Sequence, residues 1–141
     1  MLSSDVGSEE ELVEVLADGL SRAGFRVLKH VVVGGVELDL VALEESVRGV
    51  DVYVVEVKRR PRNRIVKQLE KRFLLADYLY VAVPLDLYTW ALKRVDPRVG
   101  VLVLVRGEPR VLRMGRYIGN GWRLLKALRS VSQLKSSVGV E

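Results

Sequence analysis

Apolar residues follow two rhythms along the chain, one helical and one strand-like, and these divide it into elements. From Ser8 to about Ala23 the rhythm is helical. Leu12, Val15, Leu16, Gly19, Leu20 and Ala23 form one stripe. Ser8 reads as the N-cap with Glu11 as its capping-box partner, and Gly24 as the stop. Phe25 to Val33 and Val36 to Leu43 read as strands joined by a tight turn at Gly34-Gly35. Residues 44–50 are a polar connection. Asp51 to Lys58 is apolar on both faces, which predicts a central strand covered on both sides. Pro61 breaks it. Asn63 then caps a helix reaching about Asp77, with Val66, Leu69, Phe73 and Ala76 buried and Arg64, Gln68, Arg72 and Leu75 on a neighbouring face. Tyr78 to Val83 is a strand stopped by Pro84, Tyr88 to Val95 a helix, and Val99 to Val105 a buried strand. Gly107-Glu108-Pro109 makes a turn into a short edge strand, Arg110 to Met114. Trp122, Leu125, Leu128 and Val131 predict a terminal helix over about 121–134, with Arg123, Lys126, Arg129 and Lys135 outside and a frayed tail from Ser136. Residues 1–141 read as one α/β domain, with neither repeat nor linker, ending in a helix and tail over 115–141.

A few residues do not suit this pattern. Asp39 lies in the middle of an apolar strand, and Glu56 and Lys58 close the next one. Alternate strand residues share a face, so Glu56 and Lys58 point the same way, as do Glu37 and Asp39. If the two strands are neighbours, Asp39, Glu56 and Lys58 converge. Carboxylates clustered in an apolar setting are costly unless compensated, and a divalent metal bound through their oxygens compensates them. Glu9, Glu10 and Glu11 occupy the first turn of the first helix, where acidic residues suit the helix dipole. Glu9, one turn before Leu12, flanks the apolar stripe and is the one able to look inward over the sheet. His30, the lone histidine, lies in the first strand and reads as an edge or surface residue.

The composition narrows the chemistry. With 49% hydrophobic and 29% charged residues, the chain has the balance of a soluble globular protein. No apolar run reaches the roughly 18 residues of a membrane span. The acidic N-terminus lacks the basic and apolar regions of a signal peptide, so a cytoplasmic location is expected. The absence of cysteine excludes disulfides and thiolate zinc sites. Few Asn and Gln beside many Val, Leu and Arg is a bias of thermophile proteins. The net charge of +5 is unevenly spread: residues 1–57 carry 4 Lys/Arg against 12 Asp/Glu, whereas residues 58–72 carry 8 against a single Glu. Positive charge therefore begins abruptly at Lys58, as expected where nucleic acid lies beside a metal site.

Asp39 followed by Glu56-Val57-Lys58 at the end of an apolar strand resembles the PD-(D/E)xK nuclease superfamily. Leu38 stands where the family name has proline. The predicted order of helix, three strands, helix and strand (αβββαβ) is that of the restriction-endonuclease-like core, a mixed central sheet flanked by helices. The Glu-x-Glu-Leu start resembles archaeal Holliday junction resolvases, in which a glutamate of the first helix joins the metal site; the carry-over lands on Glu9. Gln68 resembles the glutamine that helps orient the site on the helix after Glu-x-Lys. The later strands resemble putative DNA-repair nucleases of the same superfamily, and the resemblance spans about residues 9–114.

The resemblance implies Mg²⁺-dependent hydrolysis of DNA phosphodiesters at a junction, flap or repair intermediate, with Mn²⁺ able to substitute. It implies catalytic roles for Asp39, Glu56, Lys58, Glu9 and Gln68, and metal ligation by Asp39, Glu56, the Val57 carbonyl and Glu9. Arg59, Arg60, Arg62, Arg64, Lys67, Lys71 and Arg72 are expected to bind backbone phosphates, with little sequence selectivity. Junction cutting needs two sites, hence a homodimer. A nucleic-acid-binding protein without catalysis, and a nuclease directed to RNA or to DNA ends, are the alternatives.

Overall fold

The computed structural model describes residues 8–47, 49–61 and 64–139. The Asn63 cap and Arg62 lie outside the described residues, as do the side chains of Val66, Val131 and Lys135. The elements are α1 (Glu9–Arg22), β1 (Arg26–Val33), β2 (Val36–Ser46), β3 (Gly49–Val57), α2 (Arg64–Phe73), β4 (Tyr78–Pro84), α3 (Tyr88–Arg94), β5 (Gly100–Val105), β6 (Glu108–Arg113) and α4 (Gly121–Gly139). The six strands form a single sheet in sequence order. β1–β2–β3 run antiparallel, β3–β4–β5 parallel and β5–β6 antiparallel. The two parallel steps need crossovers, and α2 and α3 supply them. One face packs against α1 through Leu12, Val13 and Leu16, which meet Leu40, Val55, Val57 and Tyr80. The other is covered by Ile65 and Leu69 of α2, Ala91 of α3 and Leu124 of α4. This mixed sheet flanked by helices has the expected αβββαβ order. No helix among the described residues is long and apolar enough to cross a membrane.

Local chemistry accounts for the boundaries. The capping box at Ser8 forms in both directions: Ser8 Oγ accepts the Glu11 N–H at 3.1 Å, and Glu11 Oε1 accepts the Ser8 N–H at 2.8 Å. Gly34 and Gly35, with φ of 57° and 78°, form the two-residue turn between Val33 and Val36.

Several expectations need correction. β2 and β3 extend through the polar connection to pair Ser46 with Gly49, because ladder pairing does not require apolar side chains; Glu44 there accepts the Tyr53 hydroxyl at 3.0 Å. Lys58 falls just past β3, although its N–H still donates to the Ala82 carbonyl at 2.9 Å. The buried arc of α1 is shifted towards Val13 and away from Val15, which is exposed. Valines flank the Leu12–Leu16 line on both sides, and contact with the sheet selects Val13. α2 ends at Phe73 instead of Asp77. Asn120 caps the Phe73 carbonyl at 2.8 Å, and Asp77 is drawn into the sheet, its N–H donating to the Val52 carbonyl at 2.9 Å. α4 buries Leu124 and exposes Trp122 (55%), because Gly121 is seated against Asp77 and Val52 and sets the helix rotation. The helix runs to Gly139, so the expected unwinding from Ser136 is not seen over 136–139.

One irregularity shapes the site. His30 takes φ 54° within β1, a left-handed conformation uncommon for a residue with a side chain. The β1–β2 register is the same on both sides of it, Lys29 opposite Leu40 and Val31 opposite Leu38. The inside–outside alternation nevertheless steps over by one. Leu38 and Val41 both pack in the layer of α2, while Leu40 packs against α1. Asp39 lies at that step.

Candidate active site

The β2–β3 ladder begins at Leu40 opposite Val55, so Asp39 and Glu56 lie just beyond it, where the strands separate. Their side chains take the place of the ladder. The Asp39 N–H donates to Glu56 Oε2 at 3.3 Å, and the Val57 N–H donates to Asp39 Oδ2 at 2.8 Å. Two carboxylates 17 residues apart are thus interlocked through main-chain groups. Glu56 is 3% exposed. Burial, followed by the negative charge of Asp39, pushes its carboxyl up to about 7, against the opposing pull of Arg72 and Lys58. Asp39, half-buried, is also raised, again chiefly by burial. Glu37 does not join them; its Oε2 takes His30 Nδ1 at 3.0 Å.

Around this pair the structure gathers further residues singled out in the sequence. Lys58 Nζ donates to Gln68 Oε1 at 3.4 Å, linking the strand end to α2. Glu9, in the first turn of α1, accepts the Arg59 N–H through Oε2 at 3.1 Å, which ties α1 to the segment after Lys58. A cleft of about 390 Å³ opens here, lined by Ser8, Glu9, Lys58, Arg59, Arg60, Arg64, Ile65 and Gln68. Lys67 and Lys71 are exposed on α2.

Arg72 departs from expectation. It does not reach solvent as a phosphate-binding side chain would: it is 14% exposed and turned inward. Nη1 donates to the Gln68 carbonyl at 2.7 Å and Nη2 to the Glu37 carbonyl at 2.9 Å, leaving Nε 3.6 Å from Glu56 Oε1. On a helix whose charged face is otherwise exposed, nothing in the sequence marked Arg72 as the one to turn in. What accompanies its inward turn is the buried Glu56, a carboxyl in need of a cation.

The donor set fits a hard divalent cation. Asp39 and Glu56 offer carboxylate oxygens, and for the buried Glu56 the Arg72 Nε, 3.6 Å away and without a hydrogen bond, is an incomplete counter-ion. Among the described residues no three His, Asp or Glu side chains converge on one point, so any further ligand comes from the main chain or from solvent.

Asp77 is a buried carboxylate that the pattern did not single out. It accepts the Val52 N–H at 2.8 Å and the Gly121 N–H at 3.0 Å, joining β3 to the start of α4. Its partners are main-chain groups, and it supports the fold.

No protein-family model matches the chain, and no curated protein matches it. Among solved structures, a protein of unknown function from Silicibacter pomeroyi matches with a TM-score of 0.63 at 18% identity, over 89% of this chain and 87% of that one. An XisH family protein from Nostoc punctiforme matches at 0.46 and 18% identity over 76% and 98% of the two chains. An fdxN element excision controlling factor protein from Anabaena variabilis matches at 0.43 and 20% over 71% and 96%. These likenesses concern the fold, and only the first is strong enough to bear on it. The chain has an α/β fold with a mixed six-stranded sheet flanked by helices.

Proposed function

We propose that this protein is a Mg²⁺-dependent endonuclease that hydrolyses DNA phosphodiester bonds and selects its substrate by shape, as at a junction, flap or repair intermediate. The observation that carries the reading is the pairing of Asp39 with Glu56 at the point where β2 and β3 part, with Lys58 beside them in a cationic cleft. Asp39 and Glu56 would hold the metal through carboxylate oxygens, with the Val57 carbonyl as a further ligand; Glu9, expected from the sequence to join them, is instead tied to the Arg59 N–H. Bound there, a divalent cation lowers the pKa of a water and offsets charge on the attacked phosphate. Mn²⁺ would substitute.

The chain's own groups do the rest. Lys58, steadied by Gln68, orients the attacking water or stabilises negative charge developing on the phosphate. Glu9 holds the main chain at Arg59 and so fixes the turn that follows Lys58. Arg59, Arg60 and Arg64 meet backbone phosphates at the cleft, and Lys67 and Lys71 extend that surface along α2. Contacts to phosphate position DNA without reading its bases, which supports selection by shape. Cutting both strands of a junction would call for two copies of the chain.

A second reading is a DNA-binding protein without catalysis. It is favoured by Arg59, Arg60 and Arg64, which line the cleft beside Lys58 and suit phosphate binding alone. Labelled duplex, flap, four-way junction, single strand and RNA, incubated with Mg²⁺, Mn²⁺ or EDTA, separate the two. Metal-dependent cutting of a branched DNA supports the enzyme. Salt-sensitive binding with no cutting under either metal supports the binder.

A further inference from the structure

The guanidinium of Arg72 is a fixed cation at the inner side of Glu56. It is fixed because Nη1 and Nη2 are bonded to carbonyls on two different elements, Gln68 of α2 and Glu37 of β2. It cannot swing away without leaving both carbonyls. Its Nε is buried with no hydrogen-bond partner and faces Glu56 Oε1 at 3.6 Å, closer to an ion pair than to a hydrogen bond. The other Glu56 oxygen, Oε2, is taken by the Asp39 N–H. One side of Glu56 is therefore already neutralised, and a second cation has to approach the two carboxylates from the side away from the guanidinium.

We propose that Arg72 is a positioning residue, a resident counter-charge that holds Glu56 from behind and limits the Asp39–Glu56 pair to one divalent cation, bound on the side away from the guanidinium. The inference rests on the reading of Asp39 and Glu56 as metal ligands. A built-in monovalent charge does what a second metal does in two-metal sites: it keeps a buried carboxylate tolerable and in place. It also repels the metal that does bind, so affinity is held down in exchange for a defined geometry.

The sign of this effect makes it testable without reference to activity. Mn²⁺ binding is followed by the loss of the free-ion electron paramagnetic resonance signal, with folding checked by circular dichroism. Wild type is expected to bind one Mn²⁺ per chain through Asp39, and Asp39→Asn to abolish it. Arg72→Gln removes the repulsive charge and is expected to bind Mn²⁺ about tenfold tighter or more. Arg72→Lys, which keeps the charge, stays close to wild type. A purely structural Arg72 predicts the opposite sign, weaker binding in Arg72→Gln, and that result overturns the proposal while leaving the metal site standing. So do two Mn²⁺ per wild-type chain that both depend on Asp39. No Asp39-dependent Mn²⁺ binding to wild type overturns the metal-site reading itself, and this inference with it. If Arg72→Gln does not fold, Arg72→Met, which keeps the packed stem and removes the charge, takes its place. It should again bind Mn²⁺ tighter than Arg72→Lys, and weaker binding again overturns the proposal.

Discussion

Glu56 is where the physical cost of the site is concentrated. In the folded chain its carboxyl holds a proton up to about pH 7, whereas an unfolded glutamate releases it near its ordinary value of 4.5. Between those values the folded state binds more protons than the unfolded one, so stability falls as pH rises through the window. The full loss is about 3 kcal/mol for a shift of this size. Without metal, Glu56→Gln should therefore raise the thermal midpoint relative to wild type near pH 8 and give no gain near pH 5; equal midpoints at both would show that Glu56 is not strained. Asp39, Glu56 and Lys58 were legible as a group because charged residues in apolar strands contradict their surroundings, and period-two spacing puts Glu56 and Lys58 on one side. Arg72 was not legible. A helical arginine can snorkel outward or turn inward, and only the carbonyls of Gln68 and Glu37 decide which.

At the scale of elements, two features hold the site in register. The step at His30 and Asp39 shifts the strand alternation, so that the hairpin tip packs Val31, Val33, Val36 and Leu38 into the α2 layer. His30 is pinned there by Glu37 at 3.0 Å and Glu10 at 2.8 Å. Strict alternation, the only pattern available from sequence, cannot reveal such a step. The second feature is Asp77, which joins β3, β4 and α4 through two buried main-chain donors. Asp77→Ala strands both donors, and the expected cost is about 3 kcal/mol, read as a lower urea midpoint. Asp77→Asn keeps one acceptor and should lose less; equal losses would place the effect elsewhere. Strand order and the helical crossovers were readable because each element carries its own periodicity. The rotations of α1 and α4 were not, since each helix had two apolar arcs of similar quality and tertiary contact chose between Val13 and Val15, and between Leu124 and Trp122.

Across the whole molecule, charge is divided along the chain and gathered in space. Of the described cations from Lys58 to Arg72, Arg59, Arg60 and Arg64 line the cleft beside Lys58, Lys67 and Lys71 are exposed on α2, and Arg72 is committed to Glu56. Arg59→Ala, Arg60→Ala and Arg64→Ala should each weaken DNA binding evenly across sequences and reduce the slope of log affinity against log salt by about 1. Arg72→Ala should leave that slope unchanged, and a comparable reduction there would return Arg72 to the phosphate-binding surface. The central claim is that Asp39, Glu56 and Lys58 cut what this basic surface holds. Its most direct test is Mg²⁺-dependent cleavage of a labelled branched DNA by wild type, Asp39→Asn and Lys58→Met, with binding to the same DNA measured in parallel. The account predicts cutting by wild type, a loss of at least about a hundredfold in each variant, and DNA binding retained in Asp39→Asn. Unchanged cutting in the variants, or binding without cutting by wild type under Mg²⁺ and Mn²⁺ alike, would contradict it.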